Sequence, residues 1–110
     1  MRYPGRGEVW LVDLGLTAKI RPCLVISTAI DDVDRALVTL VPHTTSVRGT
    51  RFEAVVDVPF LKPGAFDAQG IASAQTTRAI RLLGKLNAQQ MHPVERAICR
   101  WLALPCAAVE

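Results

Sequence analysis

Two short apolar runs flank a loop near the start of the chain, and their pattern predicts two β-strands. Residues 8–14 place apolar side chains on both faces of an extended segment, and residues 23–26 form a second run directly after Pro22. A strand that is apolar on both faces is buried on both sides or lies inside a small barrel. The loop between the strands carries Lys19 and Arg21, which would stand at the rim of a stiff scaffold.

Further β-type segments follow along the chain. Residues 37–41 form a third apolar run that ends at Pro42, and the polar stretch 43–50 is predicted to be a loop. Residues 52–58 alternate between apolar and polar and predict a fourth strand. A weaker strand is predicted at 70–75, with 77–83 as its extension.

The periodicity changes to that of a helix after Asn87, which is a suitable N-cap residue. Apolar side chains then recur every three or four residues on one face, namely Met91, Val94, Ile98, Trp101 and Leu102. Pro93 lies inside this pattern and predicts a bend or a late start. We therefore expect a mainly β fold with strands over about 8–83 and a C-terminal helix over about 88–104. Closure of the sheet into a small barrel would remove its exposed edges.

Length and composition bound the remaining possibilities. The 110 residues predict one domain over 1–110. The N-terminus shows no signal-peptide pattern and no apolar run is long enough to cross a bilayer, which predicts a cytoplasmic protein. The three cysteines are widely spaced and argue against a zinc site, so Cys23 and Cys99 are predicted to be small core residues. The net charge of +3 permits an anionic partner without requiring one.

The chemistry-bearing residues are arginines, hydroxyls and His43. No paired-carboxylate pattern or phosphate-binding glycine motif is present, and the Asp31–Asp34 cluster is predicted to be a solvated loop rather than a metal site. Such a set suits cleavage of single-stranded RNA through its own 2′-hydroxyl, because the substrate then supplies the nucleophile. The protein need only hold the phosphate and stabilise its charge.

The order of several motifs resembles the MazF/PemK family of endoribonuclease toxins. Residues 6–14 (RGEVWLVDL) and 21–27 (RPCLVIS) are similar to the family's opening "RGEVWLVDL…RPxLVIS". Residues 40–46 (LVPHTTS) are similar to its "VVPxTS", and 61–64 and 82–86 also match ahead of the helix. The resemblance covers nearly the whole chain.

The resemblance implies an SH3-like barrel that forms a homodimer. It also implies RNA cleavage without metal or cofactor, leaving a 2′,3′-cyclic phosphate and a 5′-hydroxyl, and a cognate antitoxin whose acidic disordered segment covers the RNA groove. Arg21 matches the family's catalytic arginine before proline, and Thr44 matches the threonine of its "VVPxTS" motif. The residues expected to contact RNA are Lys19, Thr45, Ser46, Arg48 and Arg51.

The chain also departs from the family pattern. Many members have a longer first loop with a glutamate or histidine, whereas residues 15–20 here have neither. Some members carry an arginine and an aspartate at the positions of Ala72 and Ala74. His43 stands where an aliphatic residue is usual, so it is either a proton-transfer group or a half-buried or rim histidine.

Other interpretations stay open beside the toxin. In one alternative, Lys19 and Arg21 are ordinary solvent-exposed charges of a loop. In the same way, Arg48 and Arg51 could belong to a solvated hairpin tip without contacting RNA. The Thr44 hydroxyl alternatively satisfies local backbone. The whole chain is alternatively a catalytically weak or silent barrel that binds RNA or a partner protein. A structural interaction module with an aromatic groove is disfavoured by an aromatic content of 5%.

Overall fold

An antiparallel sheet and one helix make up the computed structural model, which describes residues 3–15 and 19–106. The strands are β1 (Glu8–Asp13), β2 (Ile20–Val25), β3 (Leu37–Thr44), β4 (Glu53–Ala54), β5 (Ala65–Asp67), β6 (Ala72–Gln75) and β7 (Ala79–Lys85), and the helix is α1 (Ala88–Leu102). The strand order is β4-β5-β3-β2-β1-β7, with β6 paired to the first half of β3. The predicted fold class, mainly β with a C-terminal helix, is confirmed.

Over residues 3–15 and 19–106, the sheet does not close into a continuous hydrogen-bonded ring. Strand β6 pairs with β3 and strand β7 pairs with β1, while a single 3-10 turn, Thr76–Arg78, joins β6 to β7. The chain thus turns from one side of the sheet to the other without pairing these two strands to each other. The predicted fold class, a small barrel-like sheet with a helix, is confirmed. The ladder of backbone hydrogen bonds is nevertheless interrupted at the turn Thr76–Arg78, between β6 and β7.

The central strands are buried on both faces, as the sequence pattern indicates. One face packs Val9, Leu24 and Val41 against Phe66 and the apolar side of α1. The other face carries a second cluster of buried side chains, formed by Val12, Cys23, Val25, Val38 and Leu40. Consecutive side chains of a strand point to opposite faces, so each central strand contributes to both clusters.

Strand β3 is longer than predicted, because it continues through Pro42 to Thr44. Its outer edge pairs with β6 at residues 37–40 and with β5 at His43 and Thr44. Pro42 falls in the gap between these two partners, where a missing N–H is tolerated. The predicted loop at 43–50 therefore begins two residues later, and His43 and Thr44 are strand residues. Pro22 likewise lies inside β2 rather than at its start.

The predicted fourth strand, 52–58, is paired only at Glu53–Ala54. The alternation of burial is nevertheless present, since Ala54, Val56 and Val58 are buried and Val55 is exposed. The strand β5, which the sequence pattern does not indicate, pairs with both β4 and β3.

The helix begins where its N-cap predicts. The Asn87 side chain accepts a hydrogen bond from the Gln90 N–H at 2.8 Å, and the Gln90 side chain accepts one from the Asn87 N–H at 2.9 Å. This reciprocal capping box satisfies two of the helix's free N–H groups. Pro93 lies inside the helix, which starts at Ala88 without the predicted delay. Over the residues that the structure describes, no helix is long and apolar enough to cross a membrane.

The prediction that Cys99 is a core hydrophobe is wrong, because Cys99 forms a disulfide with Cys106. Ala103 adopts a left-handed conformation (φ 54°) just after the helix, and the chain then turns back. This turn brings the Cα atom of Cys106 within 5.9 Å of that of Cys99. Cys23 is buried as predicted, and its burial raises the pKa of the thiol to about 12.

Candidate active site

The pairing of β2 with β3 brings Arg21 and Thr44 together. Cys23 pairs with Pro42 and Leu24 with Val41, so the residue numbers of each antiparallel pair add up to 65. The paired residues end at Cys23 and Pro42, and extending their register by two residues would place Arg21 opposite Thr44. Directly opposed residues of an antiparallel pair point to the same face. The two residues that match the family's catalytic positions therefore share one face of the sheet, at the end of two central strands.

A cleft of about 860 Å³ opens at this end of the sheet. Its lining includes Arg21 and Thr44, residues of the loop between β3 and β4, and all four residues of β6. The residues along the cleft are Asp13, Leu14, Arg21, Pro42, His43, Thr44, Ser46, Arg48, Thr50, Glu53, Asp67, Gln69, Gly70, Ala72, Ser73, Ala74, Gln75 and Arg78. This volume lies in the range of clefts that hold small ligands.

The cleft contains most, but not all, of the predicted site residues. Arg21, His43, Thr44, Ser46 and Arg48 all line it. The other three predicted RNA contacts, Lys19, Thr45 and Arg51, are exposed but do not line it.

Two of the residues outside the cleft have local features of their own. Lys19 adopts a left-handed conformation (φ 61°) directly before β2. The Arg51 guanidinium lies 4.7 Å from the centre of the Phe52 ring, a cation–π geometry that directs it toward that ring.

The Thr44 hydroxyl has a proton available for a ligand. Its Oγ1 atom accepts a hydrogen bond from the Ser46 N–H at 3.0 Å. This bond is the local backbone contact expected for a hydroxyl at a strand end. Because a threonine hydroxyl can accept and donate at once, the contact leaves the O–H free to donate toward a phosphate in the cleft.

His43 faces the opposite side of β3 from Thr44. Only 4% of the residue is exposed, and its ring makes an edge contact with Phe66 at a centroid distance of 5.1 Å. Its Nε2 atom is buried and has no hydrogen-bond partner among the described residues. Burial lowers the pKa of the imidazole. His43 thus contributes to the cleft wall while its Nε2 is shielded from the cleft, which makes it more buried than the half-buried or rim histidine of the sequence interpretation.

The charges of the cleft are mixed rather than uniformly basic. Arg21, Arg48 and Arg78 supply positive charge, and Asp13, Glu53 and Asp67 supply negative charge. The carboxylates have structural roles of their own. Asp13 lies 3.6 Å from Arg78 and accepts from the Gly15 N–H, and Asp67 accepts from the Gln69 N–H at 3.0 Å.

Glu53 is one of the cleft residues that the sequence interpretation missed, and it makes the contacts that shape the neighbouring loop. Its carboxylate accepts hydrogen bonds from the N–H groups of Arg48 and Thr50, at 3.0 and 2.7 Å. The only signal in the sequence is a polar residue at the second position of the alternating segment 52–58. Ala72 and Ala74 also line the cleft, so the positions where some family members carry charged groups provide only methyl groups here. Among the described residues, no three metal-ligating side chains come together in a cluster.

Comparison with known proteins agrees with this architecture. The chain is similar to a mycobacterial endoribonuclease solved in complex with its cognate antitoxin, with 25% identity and a TM-score of 0.81 over 93% of this chain and 97% of that one. It is also similar to the Mycobacterium tuberculosis toxin MazF-mt6, with 27% identity and a TM-score of 0.77 over 88% and 97% of the two chains. A MazE–MazF structure from Deinococcus radiodurans, at 22% identity, shares the fold with a TM-score of 0.79 over 94% and 99%.

The family model of the PemK-like, MazF-like toxins matches residues 5–102. This match includes the whole sheet and the helix, and therefore every residue that lines the cleft. The chain belongs to the PemK-like, MazF-like toxin family of type II toxin–antitoxin systems.

Proposed function

We propose that this protein is a toxin endoribonuclease that cleaves single-stranded RNA, including messenger RNA, without a metal ion. The observation that carries the proposal is that Arg21, at the start of β2, and Thr44, at the end of β3, both line a cleft of about 860 Å³. Family membership and the similarity to a mycobacterial endoribonuclease support it. The cleft offers an arginine fork and a hydroxyl donor, which is the minimum set for holding a phosphodiester.

The proposed reaction uses the nucleophile of the substrate. The 2′-oxygen bonds to the adjacent phosphorus as the bond from phosphorus to the 5′-oxygen breaks, which yields a 2′,3′-cyclic phosphate and a 5′-hydroxyl. The 2′-hydroxyl loses a proton and the departing 5′-oxygen gains one. Arg21 would stabilise the negative charge on the phosphate oxygens, and Thr44 would donate to one of them.

The remaining predicted residues would hold the RNA strand beyond the scissile phosphate. Ser46 and Arg48 line the same cleft, and Lys19, Thr45 and Arg51 lie outside it. In this proposal the first pair contacts the nucleotides next to the cleavage point, and the other three contact more distant phosphates. Such contacts are electrostatic and should weaken with salt.

A catalytically weak or silent barrel that binds RNA is the second candidate. The observation that favours it is the pair of alanines, Ala72 and Ala74, on the cleft wall. Neither side chain can move a proton or donate a hydrogen bond. If catalysis in this cleft requires a charged group at these positions, the protein would bind RNA or a partner protein without cleaving it.

We further propose a homodimer, a cognate antitoxin and a cytoplasmic location. The similar mycobacterial endoribonuclease was solved with its antitoxin, and an acidic disordered segment of such a partner would complement the arginines of the cleft. A cytoplasmic location follows from the proposed substrate, because messenger RNA is translated there. The reducing cytoplasm would favour opening of the Cys99–Cys106 disulfide.

The proposed function is tested by mapping 5′ ends on a long unstructured RNA treated with purified protein in excess EDTA. Discrete cuts with 5′-hydroxyl ends are expected, and their flanking sequences would reveal the preferred motif. Intact RNA, with a folded protein and measurable RNA binding, would favour the silent barrel. Cuts that appear only when magnesium is restored would contradict the metal-independent mechanism.

Replacing Thr44 with valine should lower the cleavage rate about 10- to 100-fold, because a hydrogen bond to a charged group is worth about 1.5–3 kcal/mol. The change also removes the acceptor for the Ser46 N–H, and because Ser46 is an exposed residue, water can replace that acceptor. Single-turnover rates on a short RNA measure the effect. Thr28→Val, at an exposed position away from the cleft, is the matched control. Equal rates for Thr44→Val and wild type would contradict the proposed donor.

Replacing His43 with glutamine should lower the cleavage rate by less than about tenfold, whereas loss of a general acid or base costs about 10²–10⁴-fold. The reason is the burial of Nε2 on the core side of β3. A larger loss, together with a changed pH–rate profile in a folded variant, would assign proton transfer to His43.

His43 should also make stability depend on pH. Because burial lowers its pKa in the folded protein, the unfolded chain binds more protons near and below pH 6.5. Stability should therefore fall as the pH drops through that range. The glutamine variant should show a weaker dependence in thermal melts recorded between pH 5 and pH 8.

A further inference from the structure

The Glu53 carboxylate organises the loop between β3 and β4. Its Oε2 atom accepts from the Arg48 N–H at 3.0 Å, and its Oε1 atom accepts from the Thr50 N–H at 2.7 Å. Gly49, between these residues, has a φ of 72° with no atom within 4 Å of where a Cβ would be. The chain therefore curls around the carboxylate, and its amide groups converge on the two oxygens.

The other end of the loop is tied to the proposed catalytic threonine. The Thr44 Oγ1 atom accepts from the Ser46 N–H at 3.0 Å, so the segment 46–50 is held at one end by Thr44 and at the other by Glu53. Ser46, Arg48 and Thr50 all line the cleft that contains Arg21. The conformation of this segment thus decides where the Arg48 side chain stands relative to the cleft.

The presence of Glu53 in a phosphate-binding cleft requires an explanation. A carboxylate repels a phosphodiester, so direct contact with RNA would weaken binding. The hydrogen bonds from the Arg48 and Thr50 N–H groups fix the conformation of the loop, and this ordering offsets the repulsion. Those same contacts, first from the Arg48 N–H and then from the Thr50 N–H, lower the pKa of Glu53. A carboxylate of lowered pKa is a poor proton acceptor at neutral pH, which argues against a role as general base.

We propose that Glu53 is a positioning residue that holds segment 46–50 against the cleft, so that Ser46 and Arg48 contact the RNA and set its sequence preference. This inference rests on the proposed ribonuclease function and adds to it the residue that shapes the RNA-contacting loop. Glu53 acts through the loop and not on the reacting atoms. Its loss is therefore expected to change substrate binding and cut-site preference more than the chemical step.

The first test is structural and does not depend on cleavage. Glu53→Gln keeps the size of the side chain but replaces one accepting oxygen with an NH₂ group. Amide hydrogen exchange at Arg48 and Thr50 should become about tenfold faster or more, while exchange in β1 and β2 stays unchanged. Asp57→Asn, which neutralises a nearby exposed carboxylate outside the cleft, is the matched control and should leave these amides unchanged. Unaltered exchange in Glu53→Gln would overturn the proposal.

The second test separates binding from chemistry. On an RNA with one cleavage site, Glu53→Gln should raise KM about tenfold and change kcat less than about twofold. On a long unstructured RNA the same variant should broaden the set of mapped cut sites. A double-mutant cycle with Arg48→Ala should be non-additive, because both changes disturb the same loop. A loss confined to kcat, an additive cycle, or a loss that only follows a lowered melting temperature would overturn the positioning role.

A binding measurement distinguishes failure of this inference from failure of the proposed function. The probe is a short single-stranded RNA in which every 2′-hydroxyl is methylated, so that it has no nucleophile and binds without being cleaved. If the wild type cleaves no RNA but binds this probe, a Kd raised about tenfold in Glu53→Gln still supports the loop role. If the wild type binds the probe and Glu53→Gln binds it equally well, the inference fails while RNA binding stands. If the wild type neither cleaves nor binds, both proposals fail.

Discussion

Replacing Arg21 with alanine should lower the single-turnover rate of RNA cleavage by about 10²–10³-fold, the usual cost of removing one preorganised donor to a charged transition state. Arg21 is an exposed residue at the start of β2 and lines the same cleft as Thr44. The apolar core lies beneath it and stays intact in the variant, so the melting temperature should change little. The effect should therefore appear in the chemical step and not in the folded fraction.

Two further variants make the Arg21 prediction specific. Arg21→Lys keeps the charge but loses the planar fork that binds two phosphate oxygens, so its rate should lie between those of wild type and Arg21→Ala. Arg81→Ala removes an exposed arginine of β7 outside the cleft and is the control for net charge. If Arg21→Ala cleaves within about threefold of wild type, or if Arg81→Ala is equally impaired, the catalytic role of Arg21 is contradicted.

The motif that identifies the family from the sequence is mainly structural. Arg6 donates to the Ile26 carbonyl oxygen and pairs with Glu95 of the helix. Gly7, with a φ of 90°, donates its N–H to the Val25 carbonyl oxygen at 2.8 Å. The buried Glu8 carboxylate accepts from the Gly5 N–H at 2.7 Å and from the Trp10 indole at 3.1 Å. The first motif of the family resemblance, residues 6–14, thus consists largely of residues that build the fold, whereas the later motifs also contain Arg21 and Thr44 of the proposed site.

For residues 52–58, the sequence predicted which side chains are buried but not which residues form the hydrogen bonds of a strand pair. Alternation over residues 52–58 correctly indicated that Ala54, Val56 and Val58 face the core. It could not indicate that only Glu53–Ala54 finds a strand partner, since pairing depends on where β5 passes. Pro42 was a similar case. It predicted the end of β3, but the change of neighbour from β6 to β5 at that point leaves room for a proline inside the strand.

The site was predictable to the extent that it lies on regular strands. Arg21 and Thr44 lie at strand ends, where register places them together. Glu53 was not predictable, because its role depends on a loop whose amide groups curl back onto its carboxylate. The Cys99–Cys106 disulfide depends in the same way on a turn after the helix, which spacing alone does not reveal.

Replacing Gly64 with alanine should destabilise the fold more than replacing Arg21, Thr44 or Glu53. A Cβ atom at this position would overlap the Thr44 carbonyl oxygen and lie 2.7 Å from the Cε1 atom of His43. The glycine is required for space, because the backbone of β5 begins next to it and pairs with β3 at Thr44 and His43. A backbone carbonyl held in a ladder cannot move aside as a flexible side chain can. Overpacking of this kind costs about 1–3 kcal/mol.

The Gly64→Ala variant should therefore melt about 5–15 °C lower than wild type, as measured by circular dichroism or calorimetry. Cleavage should also fall at temperatures where the variant is fully folded, because any shift of the Thr44 backbone moves its hydroxyl relative to Arg21.

Gly5→Ala is the matched control, since a Cβ there would lie at an ordinary 3.5 Å from Glu8 Oε1. If Gly64→Ala melts at the same temperature as Gly5→Ala, β3 and β5 can separate at this point. The close approach of Gly64 to Thr44 would then not be needed to fix the position of the Thr44 hydroxyl. A lowered melting temperature with an unchanged rate would separate the two effects, and would show that Thr44 keeps its position when the strand end is disturbed.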